Sequence, residues 1–114
     1  NCAINPLTAI YNCRNGELLT NSDYYSHLQK ICHEIDLVSN ALFYCSDIKS
    51  SLTLATQVAK DTANNFSSMQ QDISNDRKTE IDFINGYLQQ QAVSFQLNLP
   101  VNLKLIKDIK SLEI

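Results

Sequence analysis

Apolar residues recur along this chain at intervals of three and four, the spacing of a helix that buries one face. Tyr24, Leu28, Ile31, Ile35, Val38 and Leu42 form the longest stripe and predict a helix from about Ser22 to Tyr44, with Ser22 or Asn21 as its cap. A second stripe, Ile48, Leu52, Ala55, Ala59, Thr62 and Phe66, predicts a helix from about Asp47 to Asn64. Cys45 and Ser46 then form the turn between the two, and so short a connection favours antiparallel packing. After Thr79, Ile81, Ile84 and Leu88 share a helical face, with Phe83 and Tyr87 on the adjoining one. Pro100 suits the first turn of a last helix that turns Leu103, Ile106 and Ile109 inward and Lys104, Lys107 and Lys110 outward. Nowhere do β-branched residues alternate with polar ones over a strand's length, so the pattern predicts an all-α fold: a single helical domain of five to six helices.

The breaks in this pattern are few, because the chain holds two glycines and two prolines. Pro6 lacks a backbone donor and biases Asn5 away from helical geometry, which predicts a kink or a restart in the first segment. Asn15-Gly16 reads as a helix terminus or turn, followed by a loop to Asn21. Gly86 lies inside a helical stretch at a cost of ~1 kcal/mol relative to Ala, and predicts close approach by another helix.

Length and charge narrow the function classes. With 114 residues and 44% hydrophobic content, the chain supports one domain with a core. A formal charge of −3, with no basic run longer than Arg77-Lys78, argues against a nucleic-acid partner. No apolar stretch approaches the ~20 residues that span a bilayer, and the first residues lack the pattern of a signal peptide. The chain reads as soluble and cytoplasmic, with no membrane partner. It starts on Asn within an apolar segment, which reads as a domain excised from something longer. The four cysteines are widely spaced and contain no C-x-x-C, which disfavours a disulfide framework. Cys32 neighbours His33, with His27 five residues before it, yet such spacings do not share a helical face as metal ligands at i,i+4 do. They read as ordinary buried thiols with surface imidazoles, and no metal site is expected. The sequon Asn65-Phe66-Ser67 reads as chance.

The residues that can carry chemistry are amides, hydroxyls and carboxylates. Asn1 and Asn5 stand at i,i+4 on an apolar frame, where two amides can donate and accept toward a hydroxyl-bearing ligand. Capping and turn formation account for most such asparagines, Asn15 before Gly16 among them. Ser67 and Ser68 by themselves read as helix caps. Thr79 with Asp82 reads as a capping box, and Glu80 as a first-turn charge favoured by the helix dipole. No Gly-rich phosphate loop occurs, so a Rossmann-type dinucleotide site is not expected in these residues.

Three segments change those odds together. Asn1-Cys2-Ala3-Ile4-Asn5-Pro6-Leu7-Thr8-Ala9 is similar to an N-x-x-x-N-P-L-T-A element, Asn65-Phe66-Ser67-Ser68-Met69-Gln70-Gln71-Asp72-Ile73 to N-x-S-S-M-x-Q-D-I, and Arg77-Lys78-Thr79-Glu80-Ile81-Asp82-Phe83-Ile84-Asn85-Gly86 to R-x-T-E-I-D-x-I-N-G. In this order they are the signature elements of ketopantoate reductases, and the chain resembles the substrate-side, C-terminal domain of that family.

The resemblance implies a helical domain like the C-terminal domain of the 6-phosphogluconate dehydrogenase group, spanning residues 1–114 and lacking the N-terminal dinucleotide-binding domain. It implies substrate-binding roles for Asn1, Asn5, Asn15 and Ser68, and a cofactor-side role for Glu80. The family's catalytic lysine stands four positions ahead of Asn1, so no catalytic residue is expected in this chain. The implied reaction is NADPH-dependent reduction of 2-dehydropantoate to pantoate for coenzyme A synthesis. NADP is held mainly by the absent Rossmann domain, and the chain alone is expected to be inactive. The surface on which that domain docks is expected to be apolar, which makes self-association plausible. Two alternatives stay open: a non-catalytic helical interaction module, and a reductase relative acting on another 2-keto acid.

Overall fold

Helix formation follows the apolar stripes wherever the chain can also satisfy the helix ends. The computed structural model describes residues 2–43 and 50–113. Among them are seven helices and no strand: α1 (Ile4–Tyr11), α2 (Glu17–Thr20), α3 (Ser22–Phe43), α4 (Ser51–Asp61), α5 (Ser68–Ser74), α6 (Ile81–Ser94) and α7 (Pro100–Leu112). The all-α reading stands, and the expected five to six helices become seven. The added element is α2, in the stretch expected to be a loop: Asn15-Gly16 starts a turn that tightens into one helical turn before Asn21. No helix among the described residues is long and apolar enough to cross a membrane.

The first stripe gives α3. Asn21 is its cap, because its Oδ1 accepts from the amides of Asp23 and Tyr24. Leu28, Ile31 and Val38 are buried along it, whereas Leu42 near its end is 39% exposed. The predicted end at Tyr44, the turn at Cys45 and Ser46, and the predicted start of the next helix at Asp47 lie outside the described residues. Helix α4 is shorter than its stripe. Ser50 caps it by accepting from the Thr53 amide, and it stops at Asp61 rather than Asn64. Ala55 and Ala59 are buried as predicted; Phe66 is 38% exposed, with the Arg14 guanidinium 4.7 Å from its ring centroid.

Pro6 neither kinks nor restarts α1. It stands in the first turn, where no amide has an intrahelical partner to lose, so the missing donor costs nothing. Helix α1 ends at Asn12, whose backbone is left-handed with φ 51°.

The C-terminal helices depart most from the predicted detail. The capping box of Thr79 and Asp82 does not form: the Thr79 hydroxyl accepts from the Ile81 amide, and Glu113 accepts from both the amide and the hydroxyl of Thr79 at 2.7 and 2.9 Å. Asp82 pairs instead with Lys110 at 2.9 Å. On α7 the inward face is Asn102, Leu105, Ile106 and Ile109, while Leu103, expected inside, is 42% exposed. A buried carboxylate explains the rotation. Glu34 of α3 accepts from the amides of Val101 and Asn102 at 2.9 and 2.7 Å, capping α7 from another helix and drawing the Asn102 side into the interior. Nor is Gly86 crowded by a second helix: the atoms nearest a Cβ there belong to Asp82 and Ile81, at an ordinary 3.7 Å.

Three apolar clusters hold the helices together. One joins α1, α2, α3 and α4 around Leu7, Leu18, Leu28, Ile31 and Ala59. A second joins α1, α5, α6 and α7 through Ala9, Met69, Ile81, Ile106 and Ile109. The third sets Val38 against Leu88, Ala92 and Leu99.

Candidate functional site

The second cluster positions three of the five candidate residues. Ser68 immediately precedes Met69, Glu80 immediately precedes Ile81, and Asn5 stands one turn before Ala9; Met69, Ile81 and Ala9 are all members of that cluster. Ser68 and Glu80 are exposed and Asn5 is half-buried, each standing next to, or one turn from, a residue of that cluster along the chain. A hydroxyl pair joins two of these segments directly. Thr8 Oγ1 bonds the carbonyls of Ile4 and Asn5 at 2.8 and 3.1 Å and meets Ser67 Oγ at 2.6 Å. Ser67 is thereby the cap of α5, accepting from the Gln70 amide, which leaves Ser68 in the exposed first turn. Glu80 is the N-cap residue of α6 but makes no side-chain capping bond, so its carboxylate is not consumed by the helix.

Asn15 sits elsewhere, in the corner where α2 meets the end of α4. It is 7% exposed; its Nδ2 donates to Thr62 Oγ1 at 2.9 Å, and its amide donates to the Asn65 carbonyl at 2.9 Å. Its Oδ1 is buried with no partner among the described residues. Asn1 lies outside the described residues.

Sequence reasoning gave no role to a polar network that joins α6 and α7 to the Cys2 carbonyl. Asn85 and Asn102 are fully buried. Asn85 Nδ2 donates to the Cys2 carbonyl at 2.9 Å and to Asn102 Oδ1 at 2.8 Å. Asn102 Nδ2 donates to the Asn85 carbonyl at 3.0 Å and to Gln89 Oε1 at 3.1 Å. Asn85 stood inside the third signature segment, so a signal existed. Asn102 and Glu34 gave none, because their partners are 17 and 68 residues away.

Among the described residues, no group of three or more His, Cys, Asp or Glu side chains is placed to hold a metal ion. Burial, with Glu17 adding to it, pushes the Cys13 thiol up to about 11, so it stays protonated and unreactive at neutral pH. Cys2, Cys13 and Cys32 are free thiols, and Cys32 is buried while His33 is exposed. His27, expected at the surface, is half-buried: its Nδ1 bonds the Tyr11 hydroxyl at 2.6 Å, and burial together with Lys30 lowers its pKa. It lines an open groove of about 510 Å³ between α3 and α7.

Neither glycine serves a phosphate. Gly16 is closed off by Ala63, and Gly86 is inside a helix. Toward a dinucleotide, the residues present therefore fit an edge contact, through the unengaged Glu80 carboxylate, and not a cradle.

Known proteins are similar to this chain in sequence and in fold. A 2-dehydropantoate 2-reductase of Yersinia pestis is 41% identical over 113 residues, which is 99% of this chain and 36% of that protein. The crystal structure of a probable 2-dehydropantoate 2-reductase from Bacillus subtilis superposes with a TM-score of 0.77 at 32% identity, over 99% of this chain and 38% of that one. At 23% identity, a D-mandelate dehydrogenase solved with NADH and anilino(oxo)acetate has the same fold, with a TM-score of 0.80 over 98% of this chain and 37% of that one. The chain thus spans little more than a third of the length of the relatives it matches. Residues 1–113 match the family described as "Ketopantoate reductase PanE/ApbA C terminal", and the chain belongs to that family.

Proposed function

We propose that this chain is the substrate-side domain of an NADPH-dependent 2-dehydropantoate 2-reductase, working against a dinucleotide-binding domain in the cytoplasm. The observation that carries the reading is the match of residues 1–113 to the ketopantoate reductase C-terminal family, together with an exposed Ser68 and a Glu80 carboxylate that its own helix does not use. Asn1 and Asn5 hold the hydroxyl and keto oxygens of the substrate, and the Ser68 hydroxyl donates to its carboxylate, while Asn15, buried in the corner of α2 and α4 and bonded to Thr62, is given no contact with it. Glu80 faces the cofactor edge, and its unengaged carboxylate accepts from donors there. When bound, the nicotinamide supplies the hydride. The proton for the developing alkoxide comes from a lysine preceding residue 1 in the complete gene product. What this chain contributes is orientation, by setting amide, hydroxyl and carboxylate around one ligand. The chain alone is inactive under this reading. Phe83, Tyr87 and Val93, at 84%, 58% and 66% exposure on α6, supply the apolar strip that supports self-association of the isolated domain.

The test uses the complete product of the gene that encodes this sequence. Asn5→Ala should raise the KM for 2-dehydropantoate by about 2- to 12-fold, the equivalent of a lost uncharged hydrogen bond of about 0.5 to 1.5 kcal/mol, and Ser68→Ala, which removes a donor to a carboxylate, should raise it further, by the equivalent of about 1.5 to 3 kcal/mol. Glu80→Ala should lower kcat/KM while the melting temperature barely moves, because a first-turn carboxylate contributes only about 0.3 to 1 kcal/mol to its helix. Unchanged kinetics in all three variants would refute these roles. Preferential turnover of a different 2-keto acid would keep the reductase and replace its substrate, and a folded protein without reductase activity would leave a helical interaction module.

A further inference from the structure

We propose that Asn85 is a positioning residue that fastens the segment bearing Asn1 and Asn5 to the helix that begins at Glu80, and so fixes the substrate side of the site relative to the cofactor side. The inference rests on the substrate reading above. Its structural basis is independent of it.

The Cys2 carbonyl lies between the two substrate asparagines in sequence, and Asn85 Nδ2 holds it at 2.9 Å across 83 residues of chain. The Cys2 thiol adds a weaker bond to the Ile84 carbonyl at 3.6 Å. The start of α1 takes part of its placement from α6 through these two bonds. Asn85 is in turn held by Asn102, which faces it with both an acceptor and a donor, and whose own amide is bound by the buried Glu34 carboxylate. The anchor thus runs from α3 through α7 and α6 to the segment that carries the substrate amides.

An amide is suited to this task where a hydroxyl or carboxylate is not. Two N–H groups on one nitrogen reach two acceptors at once, the Cys2 carbonyl and Asn102 Oδ1. The arrangement leaves Asn85 Oδ1 buried with no partner among the described residues. The unpaired acceptor is the cost of aiming both donors at those two partners. A displacement of about 1 Å in the first turn of α1 moves Asn5 out of hydrogen-bond reach of a bound substrate, while Glu80, five residues before Asn85 on the other side of the tie, stays in place.

The experiment compares Asn85→Ala and Asn85→Ser with Asn102→Ala in the complete gene product. Asn102→Ala disrupts the same network but leaves the bond to Cys2. Asn85→Ala should raise both the KM and the calorimetric dissociation constant for 2-dehydropantoate at least tenfold, with less than a twofold change for NADPH. Asn85→Ser, which retains one donor, should fall between Asn85→Ala and wild type and serves if the alanine variant does not fold. Asn102→Ala should lose comparable thermal stability while its substrate KM stays within twofold of wild type. Hydrogen exchange supplies a readout without substrate: the amides of residues 7–9, which donate to the carbonyls of residues 3–5, should lose protection in Asn85→Ala and keep it in Asn102→Ala. Equal kinetic and exchange changes in the two variants would make Asn85 a core residue only and overturn the proposal, as would an unchanged KM in Asn85→Ala. If the wild-type product does not turn over 2-dehydropantoate, the substrate reading fails, and the exchange experiment alone decides whether Asn85 anchors residues 3–5.

Discussion

The dipeptide Asn-Gly occurs at residues 15–16 and again at 85–86, and the two copies solve different problems. Both asparagines are buried, and both spend their amide nitrogen on a distant partner, Thr62 for Asn15 and Cys2 with Asn102 for Asn85. Both leave Oδ1 buried without a partner among the described residues. Their glycines differ. A Cβ on Gly16 would lie 2.6 Å from the Ala63 Cβ and 2.9 Å from its Cα, and the Gly16 amide donates to the Ala63 carbonyl at 3.0 Å. A Cβ on Gly86 would find only ordinary contact with its own helix. At 15–16 the glycine is required by packing inside the domain. At 85–86 the asparagine is tied down and the glycine is not, so nothing within the described residues demands it.

The asparagines give the largest expected effect. Asn85→Asp replaces two donations with a carboxylate facing the Cys2 carbonyl and Asn102 Oδ1 in a fully buried site. An uncompensated buried charge costs about 3 to 5 kcal/mol, and Asn15→Asp, with one donation to lose, should cost less. Such an aspartate takes a raised pKa in the folded protein. The folded form is then favoured with the proton on, so the penalty is absent below the unfolded pKa of about 3.9 and grows as pH rises through the folded value. Urea midpoints of both variants between pH 4 and 8 check this. Equal penalties at pH 7 would erase the distinction between the two sites.

Next comes Gly16→Ala. Its Cβ meets backbone as well as a methyl group, neither of which can swing aside, so the turn must open against its bond to the Ala63 carbonyl. Overpacking of this kind costs about 1 to 3 kcal/mol. A melting temperature within a degree of wild type would show that the corner of α2 and α4 yields more easily than its geometry implies.

These two regions also show how much the sequence made legible. Periodicity found α3 because Leu28, Ile31 and Val38 need only face one side, a property each residue carries locally. It misplaced Leu103 because the rotation of α7 is set by Glu34, a carboxylate on α3 whose pairing with the Val101 and Asn102 amides has no local trace. The capping box at Thr79 and Asp82 failed similarly, since Glu113 competes from 34 residues away. Family motifs named Asn5, Ser68 and Glu80, but motif spacing does not say that Met69, Ile81 and Ala9, their neighbours along the chain, share one cluster. Asn85 lay in the clearest motif, yet its role depends on Cys2 at the opposite end of the chain.

The smallest expected effect is a gain. Gly86 lies inside α6, where a glycine is destabilising by roughly 0.5 to 1 kcal/mol relative to alanine through the freedom it loses on folding. Its added methyl would stand 3.7 Å from Asp82 and from the Ile81 carbonyl, distances that ask nothing of the neighbours. Gly86→Ala should therefore raise the urea midpoint of this domain slightly, whereas Gly16→Ala lowers it, with the same chemical change giving opposite signs. The asparagine beside it is unaffected, because its bonds to Cys2 and Asn102 leave from its own side chain. If Gly86→Ala instead destabilises, α6 must be approached in solution by something the described residues do not include, and the two Asn-Gly pairs would then be alike in both of their residues.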